Sequence, residues 1–133
     1  MRNIVVLTLI FISGIIIISC NEDNNFIQSS LLYKSWTYSY EESTSAQFEV
    51  YRPTNYKKFP PSRFRQVFNL KENNLCEYLV LLPNDSQYLN NGNWEFDEKT
   101  NVIKIYNENS EILYVYEVIE LRDNLLKLKA NNP

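Results

Sequence analysis

The stretch ILYVYEVIELRDNLLKLKA, residues 112–130, decides the fold. Its first part, 112–121, is a long run of β-branched and aromatic side chains, and 122–124 supply turn residues. In 125–129, Leu126 and Leu128 alternate with Lys127 and Lys129, the period of two that is typical of a strand with one buried face. The stretch therefore predicts a β-hairpin whose two leucines face the core and whose two lysines face solvent.

Short strands and tight turns continue through the rest of the chain from Trp36 onwards. Asparagine, aspartate, glycine and proline mark turns at 73–74, 83–85, 90–93, 97–101 and 107–110. A short helix is predicted over 26–33, where it would cap one end of the domain. Eight strands are predicted, at 36–41, 48–51, 64–70, 75–82, 94–96, 102–106, 112–121 and 125–129.

The fold class follows from these connections. Strands joined by tight turns pair antiparallel, and closing such a sheet removes its exposed edges. Ten Tyr and seven Phe beside only two Gly suit pleated, half-buried surfaces. We expect an all-β domain, a small eight-stranded antiparallel up-and-down barrel, with an open β-sandwich as the alternative.

Composition excludes several functions. The formal net charge of −3 gives no general attraction for nucleic acid. The sequence contains no histidine, which excludes Ser-His-Asp and Cys-His catalysis and removes the commonest metal ligand. The acidic residues show no spacing typical of a calcium loop. We therefore expect no metal, no cofactor and no enzymatic activity.

The N-terminus is typical of a secretion signal. One positive charge at Arg2 precedes an apolar run over 4–18, which is shorter than the ~20 residues of a membrane-spanning helix. The run ends in Ile17-Ile18-Ser19-Cys20, which resembles the lipobox of bacterial lipoproteins. That resemblance implies cleavage before Cys20 and attachment of lipid to its thiol and new amino group. An ordinary signal peptide with an incidental cysteine, or a buried apolar helix, is the alternative.

Three segments follow from this interpretation: a signal peptide over 1–19, the lipidated Cys20 with a polar tether over 20–30, and a β domain over 31–133. The acidic residues behind Cys20 loosely resemble the surface-export signal of Bacteroidetes lipoproteins, and a solvated linker explains them equally well. Cys76 has no intramolecular disulfide partner if Cys20 carries lipid, so we expect a buried thiol.

The β domain also resembles a known group of proteins. Leu32-Tyr33-Lys34-Ser35-Trp36 opens the domain, Gly92-Asn93-Trp94 lies in its middle, and 116–121 leads into the last hairpin. This order, together with 51–53, 60–65 and 81–85, resembles the short lipocalin-like lipoproteins of Bacteroidetes over roughly residues 31–130. Lys34-Ser35 replaces the Gly-x of larger lipocalins before Trp36, and the domain is shorter than theirs.

The resemblance implies a shape more than a cargo. The leading hypothesis is a non-catalytic module, anchored to the cell envelope and specifically the outer membrane by lipid on Cys20, that binds a small apolar ligand or a protein partner. The alternative is an accessory or inhibitor protein of an envelope complex, with a filled and purely structural barrel. A cavity of several hundred Å³ inside the barrel would distinguish the two.

Two arginines and an aspartate are candidate binding residues. Arg63 and Arg65 lie two residues apart on one expected face, where the predicted strand 64–70 begins, and Asp85 follows the next strand. The arginines would form a fork for a carboxylate or phosphate. The alternative is an internal Arg–Asp pair that fixes a loop to the end of the barrel, and we consider it the stronger of the two.

Other candidates lie on the aromatic faces and on one acidic strand position. Trp36, Tyr38 and Trp94 would line a pocket for an apolar or sugar ligand, or would simply form the core. A strict period of two places Glu117 on the face of Ile119 and Leu121, where it would bind a ligand, although exposure to solvent is the more frequent outcome. The loop 51–61, predicted at the barrel rim, is a candidate partner contact, and an ordinary rigid loop is an equally good interpretation.

Overall fold

The computed structural model describes residues 27–131 as a closed antiparallel β-barrel with one short 3-10 helix, Ser29–Leu32. The strands are β1 (Ser35–Tyr38), β2 (Glu49–Pro53), β3 (Val67–Leu70), β4 (Leu75–Leu81), β5 (Gln87–Asp97), β6 (Val102–Asn107), β7 (Ile112–Arg122) and β8 (Leu125–Ala130). The predicted all-β class and closed eight-stranded antiparallel barrel are confirmed, and the sandwich alternative is wrong.

The order of strands departs from a simple meander at one place. Around the barrel the order is β1-β2-β8-β7-β6-β5-β4-β3, and β3 returns to β1. Consecutive strands are neighbours from β3 to β8, as predicted, but β1 separates β2 from β3. Trp36 pairs with Pro53 on one side and with Phe68 on the other. The connection 54–66 therefore passes over the outer face of β1, and we call it the crossover loop.

The barrel has two distinct ends. The 3-10 helix and the turns 71–74, 98–101 and 123–124 lie at the end that we call the helix end. The loops 39–48, 82–86 and 108–111 lie at the opposite end, the far end. Ile27 packs into the core beside Leu32, so 27–30 of the predicted tether belong to the packed domain. The N-terminal segment thus joins the barrel at its helix end.

Alternation along the strands sets the core, as the hairpin pattern predicts. Leu126 and Leu128 are each 1% exposed and face inward, while Lys127 and Lys129 face outward. β1 is buried on both faces because the crossover loop covers its outer side, where Thr37 contacts Thr54 through their hydroxyl oxygens at 2.8 Å. The crossover loop thus explains why neither face of β1 is exposed to solvent.

The turn predicted at 90–93 is wrong, because these residues continue β5. Gly92 pairs with Cys76 on one side and Asn107 on the other. A Cβ at this position would collide with the carbonyl oxygen of Tyr106 and would lie 3.0 Å from the Tyr78 ring. The glycine therefore marks a close approach between strands and not a turn. The other predicted turns hold positive-φ residues at Asn73, Asn74, Asp85, Asn101 and Ser110.

A β-bulge in β7 corrects the predicted face of Glu117. The register shifts between Val118 and Glu120, so the strict period of two is broken at Ile119. Glu117 pairs with the outward Lys129, whereas Leu121 pairs with the inward Leu126. Glu117 therefore lies on the outer surface and Leu121 on the inner one, because one extra residue reverses the alternation.

Candidate functional site

Aromatic side chains fill the middle of the barrel. The ring centroids of Tyr38 and Tyr51 lie 5.2 Å apart, those of Tyr51 and Phe68 5.6 Å, and those of Phe68 and Tyr114 5.3 Å. Tyr114 in turn stacks on Tyr116. Tyr51 is 1% exposed and Phe68 2% exposed. These rings occupy the space in which an interior ligand would lie.

Three tyrosine hydroxyl groups have polar partners towards the far end of the barrel. Tyr51 donates to Glu49 at 2.8 Å, Tyr78 accepts from Asn90 at 3.0 Å, and Tyr114 donates to Gln66 at 3.4 Å. Burial raises the pKa of Tyr51 well above its ordinary value, so its hydroxyl stays protonated. Among the described residues, every buried side-chain polar atom has a hydrogen-bond partner.

Four clefts are found on the described part of the chain. One of about 230 Å³ runs between the β1–β2 loop and β8, and we call it the outer groove. Its floor contains Phe48, Val50 and Leu125, and its rim contains Arg52 and Lys127. Three further clefts lie near Lys34, near Ser29 and near Thr100, and the central rings line none of the four.

Arg65 attaches the crossover loop to the end of β1. Its guanidinium lies 4.3 Å from the ring centroid of Tyr40, and Nη1 donates to the carbonyl of Tyr38 at 2.8 Å. Nη2 donates to the carbonyl of Pro60 at 2.8 Å and lies 2.9 Å from Glu41. The hydrogen bond from Arg65 lowers the pKa of the Glu41 carboxyl. Both terminal nitrogens of this guanidinium are therefore bound by the protein itself, and the side chain is only 11% exposed.

Arg63 makes a separate, exposed contact. Its Nη2 lies 2.6 Å from Asp85, and the two side chains are 74% and 58% exposed. Gln87 donates to the main-chain carbonyl of Arg63. Arg63 and Arg65 therefore hold different partners and do not form one anion fork. The Arg63–Asp85 pair links the end of the crossover loop to the β4–β5 turn, as the second of the two sequence hypotheses describes.

The two tryptophans lie towards the helix end, away from the tyrosine hydroxyls. Trp36 is 0% exposed, and its indole donates to the carbonyl of Leu32 at 3.0 Å. Trp94 donates to the carbonyl of Lys71 at 2.9 Å and packs edge-on against Tyr33. Both indoles thus hold the helix end together, while Tyr38 belongs to the central rings. The seven candidates, Trp36, Tyr38, Arg63, Arg65, Asp85, Trp94 and Glu117, do not converge on one site.

The loop 51–61 also lies elsewhere than predicted. Residues up to Pro53 belong to β2, and the remainder crosses β1 along the barrel side instead of forming a rim. Arg52 contacts the ring of Tyr56 at 4.7 Å, and Lys57 contacts Glu42 at 3.3 Å. This segment is held down by its own side chains.

Sequence reasoning missed a cluster of exposed apolar side chains at the far end. One signal was present: the stretch 86–94, most of which lies in β5, contains no charged residue. The interpretation of 90–93 as a turn concealed it. The cluster consists of Tyr40, Leu82, Tyr88, Leu89, Ile112 and Leu113, which are between 37% and 50% exposed.

Residues 27–131 offer no candidate for two other kinds of site. No group of three or more acidic or cysteine side chains there is placed to hold a metal ion. In the same residues no helix has the length and apolar character to cross a bilayer. Cys20 and the predicted signal peptide lie outside the described residues. Cys76 is buried as predicted, and burial raises its pKa to about 11.

Comparison with models of protein families, with curated proteins and with solved structures found no match to this chain.

Proposed function

We propose that this chain is a lipoprotein of a bacterial cell envelope, anchored to the outer membrane through Cys20, whose barrel is a non-catalytic scaffold for a protein partner. This is the accessory or inhibitor hypothesis of the sequence analysis. The observation that carries it is the filled barrel centre, where Trp36, Tyr51 and Phe68 are at most 2% exposed. An eight-stranded barrel holds a ligand only if its side chains leave space inside.

The position of Ile27 determines how a lipid anchor on Cys20 would orient the barrel. Six residues, 21–26, separate Cys20 from Ile27, which packs at the helix end. Seven residue steps span at most about 25 Å even when fully extended. A lipid on Cys20 would therefore hold the helix end near the bilayer and direct the far end, with its exposed apolar cluster, away from it.

The occupied charged groups support a non-catalytic role. Arg52 donates to Glu42, and Arg65 pairs with Glu41 and donates to the carbonyl of Tyr38, so these charged groups are already engaged. The full sequence offers no histidine as a general base near neutral pH. The accessible surface of the far end includes the apolar side chains of Tyr88, Leu89 and Ile112, and exposed apolar surface is typical of protein contacts.

The outer groove favours a second candidate function, binding of a small apolar ligand. Phe48, Val50 and Leu125 give it an apolar floor, and Lys127, whose amine lies 4.6 Å from the ring centroid of Phe48, would orient a polar group. Its volume of about 230 Å³ lies below the ~300–1,000 Å³ of typical ligand sites. We therefore rank it second.

Native mass spectrometry of the full chain, extracted from a bacterial envelope in detergent, tests both parts. We expect residues 20–133 carrying a lipid mass and no further small-molecule adduct, and we expect Cys20→Ser to lose the lipid. An adduct that survives in Leu113→Ser but disappears in Phe48→Ser would instead establish the outer groove as a ligand site. An unprocessed wild-type chain without lipid would contradict the anchoring.

A further inference from the structure

The strand β5 extends beyond its neighbour at the far end. It has 11 residues, whereas β6 has six. Pairing with β4 covers 87–93, but pairing with β6 covers 92–97 only. Within the described residues, 87–91 therefore have a strand on one side alone. We call the other side of these five residues the free edge.

The hydrogen-bond phase of the β4–β5 ladder identifies the groups on this edge. The amide of Trp94 donates to Asn74, and the amide of Leu82 donates to Ser86, both at 2.8 Å. Bonded pairs alternate in an antiparallel ladder, so the main-chain groups of Gln87, Leu89 and Asn91 point away from β4. The main-chain amide of Asn91 donates to the side-chain oxygen of Asn90 at 3.0 Å. This oxygen takes the place of the carbonyl that a further strand would supply.

The free edge lacks the features that usually block strand pairing. Natural edges carry charges, proline or bulges, but 86–94 contains no charged residue and no proline. The register with β4 is also regular along this stretch. Tyr88 is 45% exposed on the inner face and Leu89 50% exposed on the outer face. The edge thus presents main-chain groups that pair with no second strand, and apolar side chains flank them on both faces.

We propose that the free edge binds an extended, uncharged segment of a partner protein, which joins the barrel sheet as an additional antiparallel strand. Main-chain hydrogen bonds supply affinity in such strand addition, and alternate side chains supply specificity. An uncharged segment fits because no side chain of 86–94 would compensate a charge placed opposite it.

The geometry of anchoring favours a partner over a second copy, and this step rests on the proposed function. Antiparallel pairing of two copies through 87–91 reverses the strand direction between them. Both copies could then be anchored in one bilayer only if the two barrels lay flat along it, which is not the orientation of the proposed function. An extended segment of a partner can pair with a barrel whose far end points away from the membrane.

The test measures amide hydrogen exchange by mass spectrometry on the full chain in detergent. The probe is a peptide of alternating threonine and valine with one lysine at each end. We expect the peptide to slow exchange in the fragment that contains 87–91. Absence of slowing at saturating peptide would overturn the proposal, as would slow exchange without peptide in a protein that sediments as a dimer.

Two variants at one position separate strand addition from apolar adhesion. Leu89→Pro removes an amide that faces the free edge and spares the β4 ladder, so peptide affinity is expected to fall more than about tenfold. Leu89→Thr keeps the amide and is expected to stay within about threefold of wild type. Equal binding by the proline variant, or equal loss in both, would overturn the proposal. If circular dichroism shows that Leu89→Pro is unfolded, Gln87→Pro tests the same edge.

The same measurement on Cys20→Ser keeps the two proposals distinguishable. Slowed exchange in that chain is expected, because the free edge is formed without the lipid. Loss of lipid with retained protection would then concern anchoring alone. Lost protection in the wild-type chain with its lipid mass present would refute strand addition and leave the anchoring proposal standing.

Discussion

Arg52 holds the carboxylate of Glu42 at two points: Nη2 lies 2.7 Å from Oε1, and Nε lies 3.1 Å from Oε2. Ser39 donates to the same carboxylate at 2.7 Å, and Lys57 approaches it from the crossover loop at 3.3 Å. One carboxylate thus joins the β1–β2 loop, β2 and the crossover loop, the three segments that depart from the simple meander.

This contact predicts a specific loss of stability in acid. The hydrogen bond from Arg52 lowers the pKa of Glu42 from 4.5 to about 2 in the folded protein. Because the folded value is the lower one, the stabilisation is present above the unfolded value and disappears as the pH falls from 4.5 to about 2. Glu42→Gln is therefore expected to cost about 1 kcal/mol near neutral pH, allowing for solvent screening, and almost nothing near the folded pKa. Urea unfolding of both proteins across this range checks it, and a cost independent of pH would contradict it.

The two arginines of the former fork hypothesis should differ in their contribution to stability. Arg65→Ala is expected to cost about 1–3 kcal/mol, because the charged hydrogen bonds of a side chain only 11% exposed are lost. Arg63→Ala serves as its matched control and is expected to cost less than about 1 kcal/mol, since its pair with Asp85 is exposed. Denaturant midpoints measure both, and a larger effect at Arg63 would refute the assignment.

The central ring Phe68 should be essential to the core. Phe68→Ala removes the partner of Tyr51, Tyr114 and Tyr116, and a cost of about 3–5 kcal/mol is expected from lost burial and the resulting cavity. Tyr88→Ala, at a position 45% exposed, is the control and should cost less than about 1 kcal/mol. Thermal unfolding compares the two, and a tolerated Phe68→Ala would indicate a looser interior than the structure shows.

Gly92 should not tolerate a methyl group. Gly92→Ala places Cβ against the carbonyl oxygen of Tyr106, a main-chain atom that cannot move aside without distorting β6. We expect a cost of about 1–3 kcal/mol from this overpacking. Asn91→Ala, an exposed neighbour on the same strand, should change the unfolding free energy by less than about 0.5 kcal/mol. Similar unfolding curves for the two variants would disprove the close approach.

Cys76 should resist modification in the folded protein. It is 2% exposed, and burial raises its pKa to about 11, so little thiolate forms at ordinary pH. In a Cys20→Ser chain it is the sole thiol, and its reaction with a disulfide reagent should be slower by about 100-fold or more than in denaturing guanidinium chloride. A fast reaction under native conditions would show that the strand is accessible.

Local patterns were sufficient for the strands and most turns. Alternation over 125–129 predicted which face of β8 is buried, and asparagine-rich turns predicted the breaks at 73–74 and 107–110. The candidate site was predicted less well. Trp36, Tyr38 and Trp94 had two interpretations, as the lining of a pocket or as core. Trp36 is fully buried and Tyr38 packs on Tyr51, whereas Trp94 also lines a cleft of about 190 Å³ near Ser29.

The sequence by itself determined the strand count, the antiparallel closed fold and the inward leucines of β8, because these depend on periods of two and on turn chemistry between neighbours in the chain. Only the tertiary structure decided four features. These are the position of β1 between β2 and β3, the outward orientation of Glu117, the different partners of Arg63 and Arg65, and the free edge of β5. Each of these depends on contacts between residues far apart in sequence, or on one bulged residue that reverses an alternation. No local pattern carries that information, because the path of the crossover loop and the extension of β5 beyond β6 are set only when the barrel has closed.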